Sequence, residues 1–90
     1  MEIEFDPKKA ASNLKKHAVD FDEAATVLFD PYALVIDDPD ALDEQRLILL
    51  GLSQKVRLLL ICYTFRDEVI RLISARCATK YEERTYAQGV

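Results

Sequence analysis

Five arginines carry most of the chemistry open to this 90-residue sequence: Arg46, Arg57, Arg66, Arg71 and Arg76. A guanidinium stays protonated and presents a planar fork of donors that matches a phosphate or a carboxylate. Tyr63, Tyr81 and Tyr86 lie near them in the chain, and a tyrosine can stack on a base or carry a proton. The single histidine, His17, adds a group of the type that exchanges protons near neutral pH. The sequence has no glycine-rich phosphate loop and no nucleophile elbow. One histidine cannot assemble a zinc-type cluster, and the acidic run from Asp37 to Glu44 lacks both the spacing and the glycine of a calcium loop. That run reads as a solvated acidic loop. No metal and no cofactor are expected.

The elements that must position these groups can be read in order. Glu2 to Phe5 alternates polar and apolar residues, as a short half-buried strand does. Asp6-Pro7 is a helix start, with a capping carboxylate and proline at the first helical position. The helix is expected to run to His17, with Ala10, Leu14, Ala11 and Ala18 inward. Its outer face carries Lys8, Lys9, Lys15 and Lys16, and Lys15, Lys16 and His17 suit the negative end of its dipole. A second helix, capped by Asp22, places Ala25, Leu28 and Phe29 at helical spacing and stops at Asp30-Pro31.

Tyr32 to Ile36 is a β-rich segment, and three strands follow: Arg46–Leu52, Val56–Thr64 and Val69–Ala75. Their short connections predict an antiparallel meander. Leu58 to Ile61 is apolar on both faces, which suits a central strand covered on both sides. Simple alternation along the last strand puts Arg71 with Ile73 and Ala75, and Arg76 with Leu72 and Ser74 on the other face. Thr79-Lys80-Tyr81-Glu82 has the form of a capping box and opens a terminal helix. The architecture expected is α+β: N-terminal strand, helical hairpin, antiparallel sheet and C-terminal helix in a single domain over residues 1–90.

Composition narrows the class. Half of the residues are apolar and 31% are charged, as in ordinary globular domains. The apolar run from Leu58 to Tyr63 is far too short to span a membrane, and the acidic N-terminus does not resemble a signal peptide. A cytoplasmic protein with reduced thiols at Cys62 and Cys77 is expected. The net charge of −4 hides an asymmetry: residues 1–45 carry twelve acids and four lysines, whereas residues 46–90 carry eight Lys/Arg and four acids. A split from −8 to +4 points to two faces with different partners.

A set of short motifs carries a more specific signal. They are Phe5-Asp6-Pro7-Lys8-Lys9-Ala10, Asn13-Leu14-Lys15-Lys16-His17, Phe21-Asp22-Glu23-Ala24, Phe29-Asp30-Pro31, Asp43-Glu44-Gln45-Arg46, Gly51-Leu52-Ser53, Arg71 through Thr79, and Glu82-Glu83-Arg84-Thr85-Tyr86. In this order and with these gaps the chain resembles the BrnT family of toxins from bacterial type II toxin–antitoxin systems. Ala18 departs from the pattern, since the family usually has glycine at that helix end. The resemblance implies a fold similar to RelE-type ribonucleases and RNA cleavage that inhibits translation. It also implies neutralisation by a BrnA-like antitoxin, with operator DNA met only indirectly through that antitoxin. A toxin dimer or a heterotetramer with antitoxin fits the same pattern, and no membrane partner is implied.

For such an activity the economical chemistry is metal-free transesterification, in which the ribose 2′-OH attacks the adjacent phosphate. The catalytic candidates are Arg76 first, then Arg46, Arg66 and Arg71, with His17 as acid or base. Arg76 is favoured because a strand and a capped helix fix its backbone while its side chain is expected to be free. Lys8, Lys16 and Arg57 are candidates for holding RNA phosphates. Tyr81 and Tyr86 read as packing residues. The same residues also fit a non-catalytic module that acts as corepressor with its antitoxin.

Overall fold

A computed structural model describes residues 2–37 and 45–89. The chain runs β1 (Glu2–Glu4), α1 (Pro7–His17), α2 (Phe21–Thr26), a 3-10 turn (Val27–Phe29), β2 (Leu34–Asp37), β3 (Arg46–Leu52), β4 (Leu58–Arg66), β5 (Val69–Cys77) and α3 (Lys80–Gln88). The strands form one mixed sheet in the order β1-β5-β4-β3-β2. β2 to β5 are antiparallel neighbours, as the short connections predict, and β1 adds in parallel beside β5. β4 is the central strand, which accounts for its apolar residues on both faces. The acidic stretch expected as a loop lies, from residue 38 to 44, outside the described residues.

α1, α2 and the 3-10 turn cover one face of the sheet, and the core lies between them. Val19, Phe21, Ala24 and Val27 pack on Leu49, Leu59, Ile61, Tyr63, Leu72 and Ala75. Phe5 meets Phe21 edge-on, with ring centroids 5.3 Å apart. Gly51 lets the 3-10 turn lie directly on β3, because a Cβ there would sit 2.9 Å from the Val27 side chain.

Two expectations about the helices are corrected. Leu14 is 51% exposed and Ala11 and Ala18 also face outward; the inward stripe of α1 is Ala10, Asn13 and His17. The buried polar position has a cause in β5. β1 ends opposite Arg71, so β5 beyond that point has no strand on this side. The Asn13 amide substitutes for one: it accepts from Ala75 N–H (3.0 Å) and donates to Ala75 C=O and Val19 C=O (both 2.9 Å). Leaving such buried backbone groups unpaired costs about 1–3 kcal/mol each, more than a leucine at this position would return.

The cap of α2 is Asp20, not Asp22, with its carboxylate accepting from Glu23 N–H at 3.0 Å. Starting the helix at Phe21 drives that ring into the core and leaves Asp22 in solvent. Ala18 ends α1 in the left-handed region, at φ 57°, so the conformation glycine would favour is kept without glycine.

β4 begins at Leu58 rather than Val56, because Ser53 to Arg57 close a turn through Val56 N–H to Ser53 C=O and Ser53 N–H to Arg57 C=O. Val56 itself has φ 60°, a strained setting for a β-branched residue. That turn aims Arg57 inward at Glu23. Glu23 is 3% exposed, and accepts from Arg57 Nε (2.9 Å), from Arg57 Nη2 and from Ser53 Oγ (2.6 Å). Arg57 Nη2 also donates to Ala18 C=O at 3.2 Å, binding the end of α1 to the same cluster.

Candidate functional site on the outer sheet face

The second face of the sheet holds the remaining arginines, and a β-bulge decides which of them meet. Cys62 pairs with Ser74 and Tyr63 with Leu72, so Ile73 is the extra residue in β5. Such a bulge shifts the alternation by one. Ile70, Leu72 and Ala75 therefore all point to the core, and Arg71 and Arg76 share the outer face. Strict alternation had separated them.

Beside the bulge is a cavity of about 430 Å³ lined by His17, Arg46, Ile48, Leu60, Cys62, Ile73, Ser74, Ala75 and Arg76. Arg46 enters from the start of β3, and Arg76 from β5. His17 arrives from the last turn of α1, one turn beyond Asn13, whose bonds to Ala75 fix the helix against the strand. The floor is partly apolar, through Ile48, Leu60 and Ile73. Charges against such a floor act on a bound ligand more strongly than they would in bulk water. This arrangement can hold a phosphate between two cations with a proton-transfer group at hand.

The other candidates are placed differently. Arg71 lies on the same face and in register with Thr64 and Arg46, but outside the cavity lining, and its Nη1 donates to Glu4 Oε1 at 3.1 Å. Arg66 is exposed at the β4–β5 turn. Lys16 is exposed next to His17, while Lys8 stands at the opposite end of α1. Arg57 is on the helix-covered face, with its guanidinium held by Glu23. Tyr63 points into the core, where burial raises its phenol above the ordinary range.

Arg76 is not free. Its Nη1 and Nη2 donate to Glu82 Oε1 (2.9 Å) and Oε2 (3.0 Å), and Nη1 also donates to Cys77 C=O at 3.2 Å. The two bonds from Arg76 hold the Glu82 carboxyl below its usual range, against an opposing contribution from burial. Glu82 completes the capping box as well, accepting from Thr79 N–H at 2.9 Å while Thr79 Oγ1 accepts from Glu82 N–H at 3.2 Å. The sequence signals the cap; the second role of the same carboxylate is missed, because nothing in the spacing says that Arg76 folds back over six residues. The far end of α3 is tied down too. Tyr86 Oη donates to Asp30 Oδ2 at 2.6 Å, and the same oxygen accepts from Leu52 N–H at 2.8 Å. Burial together with the anionic Asp30 pushes the Tyr86 phenol up to about 12. Burial pushes Asp30 up, but the bonds from Tyr86, Leu52 and Tyr32 outweigh it and hold the carboxyl low.

A family model described as the ribonuclease toxin BrnT of a type II toxin–antitoxin system matches residues 5–82. No curated protein matches the chain. Among solved structures, the crystal structure of the Brucella abortus ribonuclease toxin BrnT is similar, with a TM-score of 0.68 and 26% identity over 89% of this chain and 99% of that one. The match spans β1-adjacent Phe5 through Glu82 and so includes every residue lining the cavity. The chain belongs to the BrnT family of ribonuclease toxins of type II toxin–antitoxin systems.

Proposed function

We propose that this chain cleaves RNA by metal-independent transesterification in the outer-face cavity and thereby inhibits translation. The observation that carries this reading is the convergence of His17, Arg46 and Arg76 on one cavity from three separate elements. The ribose 2′-OH loses its proton as its oxygen attacks the adjacent phosphorus; the P–O5′ bond breaks and the leaving oxygen takes up a proton. His17 is the proton carrier, and Arg76 and Arg46 stabilise the charge that grows on the phosphoryl oxygens. Arg66, Arg71, Lys16 and, farther off, Lys8 track the flanking phosphates. Among the described residues, no group of three or more His, Cys, Asp or Glu is placed to hold a metal. A BrnA-like antitoxin neutralises the chain through a partly basic segment that contacts its acidic half, residues 1–45, and carries the operator-binding function.

Pairing of Arg76 with Glu82 and of Arg71 with Glu4 favours a second reading, a corepressor without catalysis, because both pairs offset cationic charge on this face. One assay separates the two. Purified protein, free of antitoxin, is incubated with RNA in the presence of EDTA. Cleavage is expected to persist and to leave cyclic-phosphate ends. Activity that disappears on chelation and returns with Mg²⁺ sinks the metal-free scheme; intact RNA under every condition leaves the corepressor.

A further inference from the structure

The Arg76–Glu82 fork uses one edge of the guanidinium and leaves another. Nη1 is occupied by Glu82 and by Cys77 C=O, and one Nη2 hydrogen goes to Glu82. Among the described residues, the hydrogens left over are Nε–H and the second Nη2–H, which lie side by side on the long edge of the planar group and form a second fork. Arg76 lines the cavity with His17 and Arg46. Glu82 does not; it lines a neighbouring apolar groove of about 310 Å³ between α3 and the sheet, with Tyr81 and Thr85. The carboxylate thus holds the guanidinium from the α3 side, and the same arginine lines the cavity.

We propose that Glu82 is a positioning residue: it clamps one edge of Arg76 so that Nε–H and Nη2–H are presented as a preformed fork to a single phosphate. This rests on the ribonuclease reading and assigns the geometry of phosphate recognition within it. A long arginine side chain in solvent samples many rotamers, and each hydrogen bond to a phosphate must overcome that freedom. A clamped arginine has already lost it. Glu82 Oε1 is itself fixed by the backbone N–H of residue 79, a bond that does not use the Thr79 side chain. The alternative, a carboxylate that screens Arg76 and restrains the enzyme, predicts the opposite sign when the charge is removed.

The test uses the full chain and three variants. Glu82→Gln keeps the size and one acceptor but cannot accept from both Nη atoms. Thr79→Ala removes the hydroxyl half of the capping box and leaves the clamp, so it reports on helix capping alone. Arg76→Lys shows what the charge does without the fork. The first readout is the Arg76 Nε–H resonance during titration with inorganic phosphate, which needs no turnover. A phosphate-dependent shift is expected in the parent and in Thr79→Ala, and its loss in Glu82→Gln. The second is RNA cleavage, where Glu82→Gln should lower kcat/KM by about tenfold or more, while Thr79→Ala stays near the parent. A Glu82→Gln protein that cleaves as fast as the parent or faster, or an Arg76 resonance that phosphate never moves, overturns the clamp. A parent that shows the shift but cuts no RNA keeps the clamp and removes the ribonuclease reading beneath it.

Discussion

Replacing Arg76 with alanine is expected to slow RNA cleavage by about 100- to 1000-fold and to abolish toxicity. The magnitude follows from the loss of one preorganised donor to transition-state charge, typically ~3–4 kcal/mol of barrier. Arg76 lines the cavity beside His17 and Arg46 and is fixed through Glu82, so its alignment is achieved before substrate arrives. Arg76→Lys retains the charge but neither fork, and should recover only a small part of the rate. Single-turnover cleavage of a defined RNA measures both, with far-UV circular dichroism and thermal melting as controls for folding. The fold should survive, because Arg76 is partly exposed and contributes nothing to the helix-covered core. Full activity in Arg76→Lys reduces this residue to a counter-charge. An Arg76→Ala chain that fails to fold makes it structural.

The second large effect concerns Glu23, on the opposite face. Its carboxyl is lowered from 4.5 to about 2, chiefly by the bond from Arg57, with burial opposing and Ser53 assisting. A carboxyl whose folded value lies below its unfolded one contributes stability that is fully present above the unfolded value. That stability drains away as the pH falls toward the folded value, here between about pH 5 and pH 2. The shift corresponds to roughly 3 kcal/mol at neutral pH, a large share of the ~5–13 kcal/mol expected for a domain of this length. Glu23→Gln should therefore lower Tm by about 12–20 °C at pH 7. It also strands a guanidinium, which is 38% exposed and can turn partly to water, so the loss should fall at the lower end for a broken buried pair. Urea denaturation at pH 7 and pH 3 gives the check. The gap between parent and variant should narrow at pH 3, where the parent begins to lose the same charge. A gap that is absent at pH 7 shows that the pair contributes nothing net, and a gap that stays constant across the range shows that the loss does not come from the Glu23 charge.

Glu23 and Arg57 also show where sequence reading reaches its limit. The order of elements, the meander, the Pro7 start of α1 and the Thr79 capping box are local, set by caps, turns and alternation, and each is present. Contacts between residues distant in the chain are not legible in that way. Arg57 looks like a surface cation until its turn, with Val56 at positive φ, carries it to Glu23, 34 positions away. The single-residue bulge at Ile73 has no glycine or proline to announce it, yet it decides that Arg71 and Arg76 share a face. Asn13 is not among the inward residues the helical spacing offers; its burial is set by the point where β1 stops, a property of another strand. Within the candidate site, residue types guided the choice of His17, Arg46 and Arg76, which line one cavity. Alternation already places Ser74 on the face of Arg76, and Cys62 joins it as the cross-strand partner of Ser74, a pairing the sequence does not announce.

α3 has no buried residue. Its attachment consists of polar ties at its two ends, Glu82 to Arg76 and Tyr86 to Asp30, with contact to β3 between them. An element held in this way opens at a smaller free-energy cost than the sheet beneath it, as a separate cooperative unit. Amide hydrogen exchange over Lys80–Gln88 should accordingly outpace that of β4 and β5; equal protection of the helix and the central strands would show that they open together. Because opening takes Glu82 away from Arg76, the proposed clamp predicts that the phosphate fork is ordered only while the helix is seated. Any ligand that prefers the unseated form then lowers activity without touching the cavity, by shifting that population.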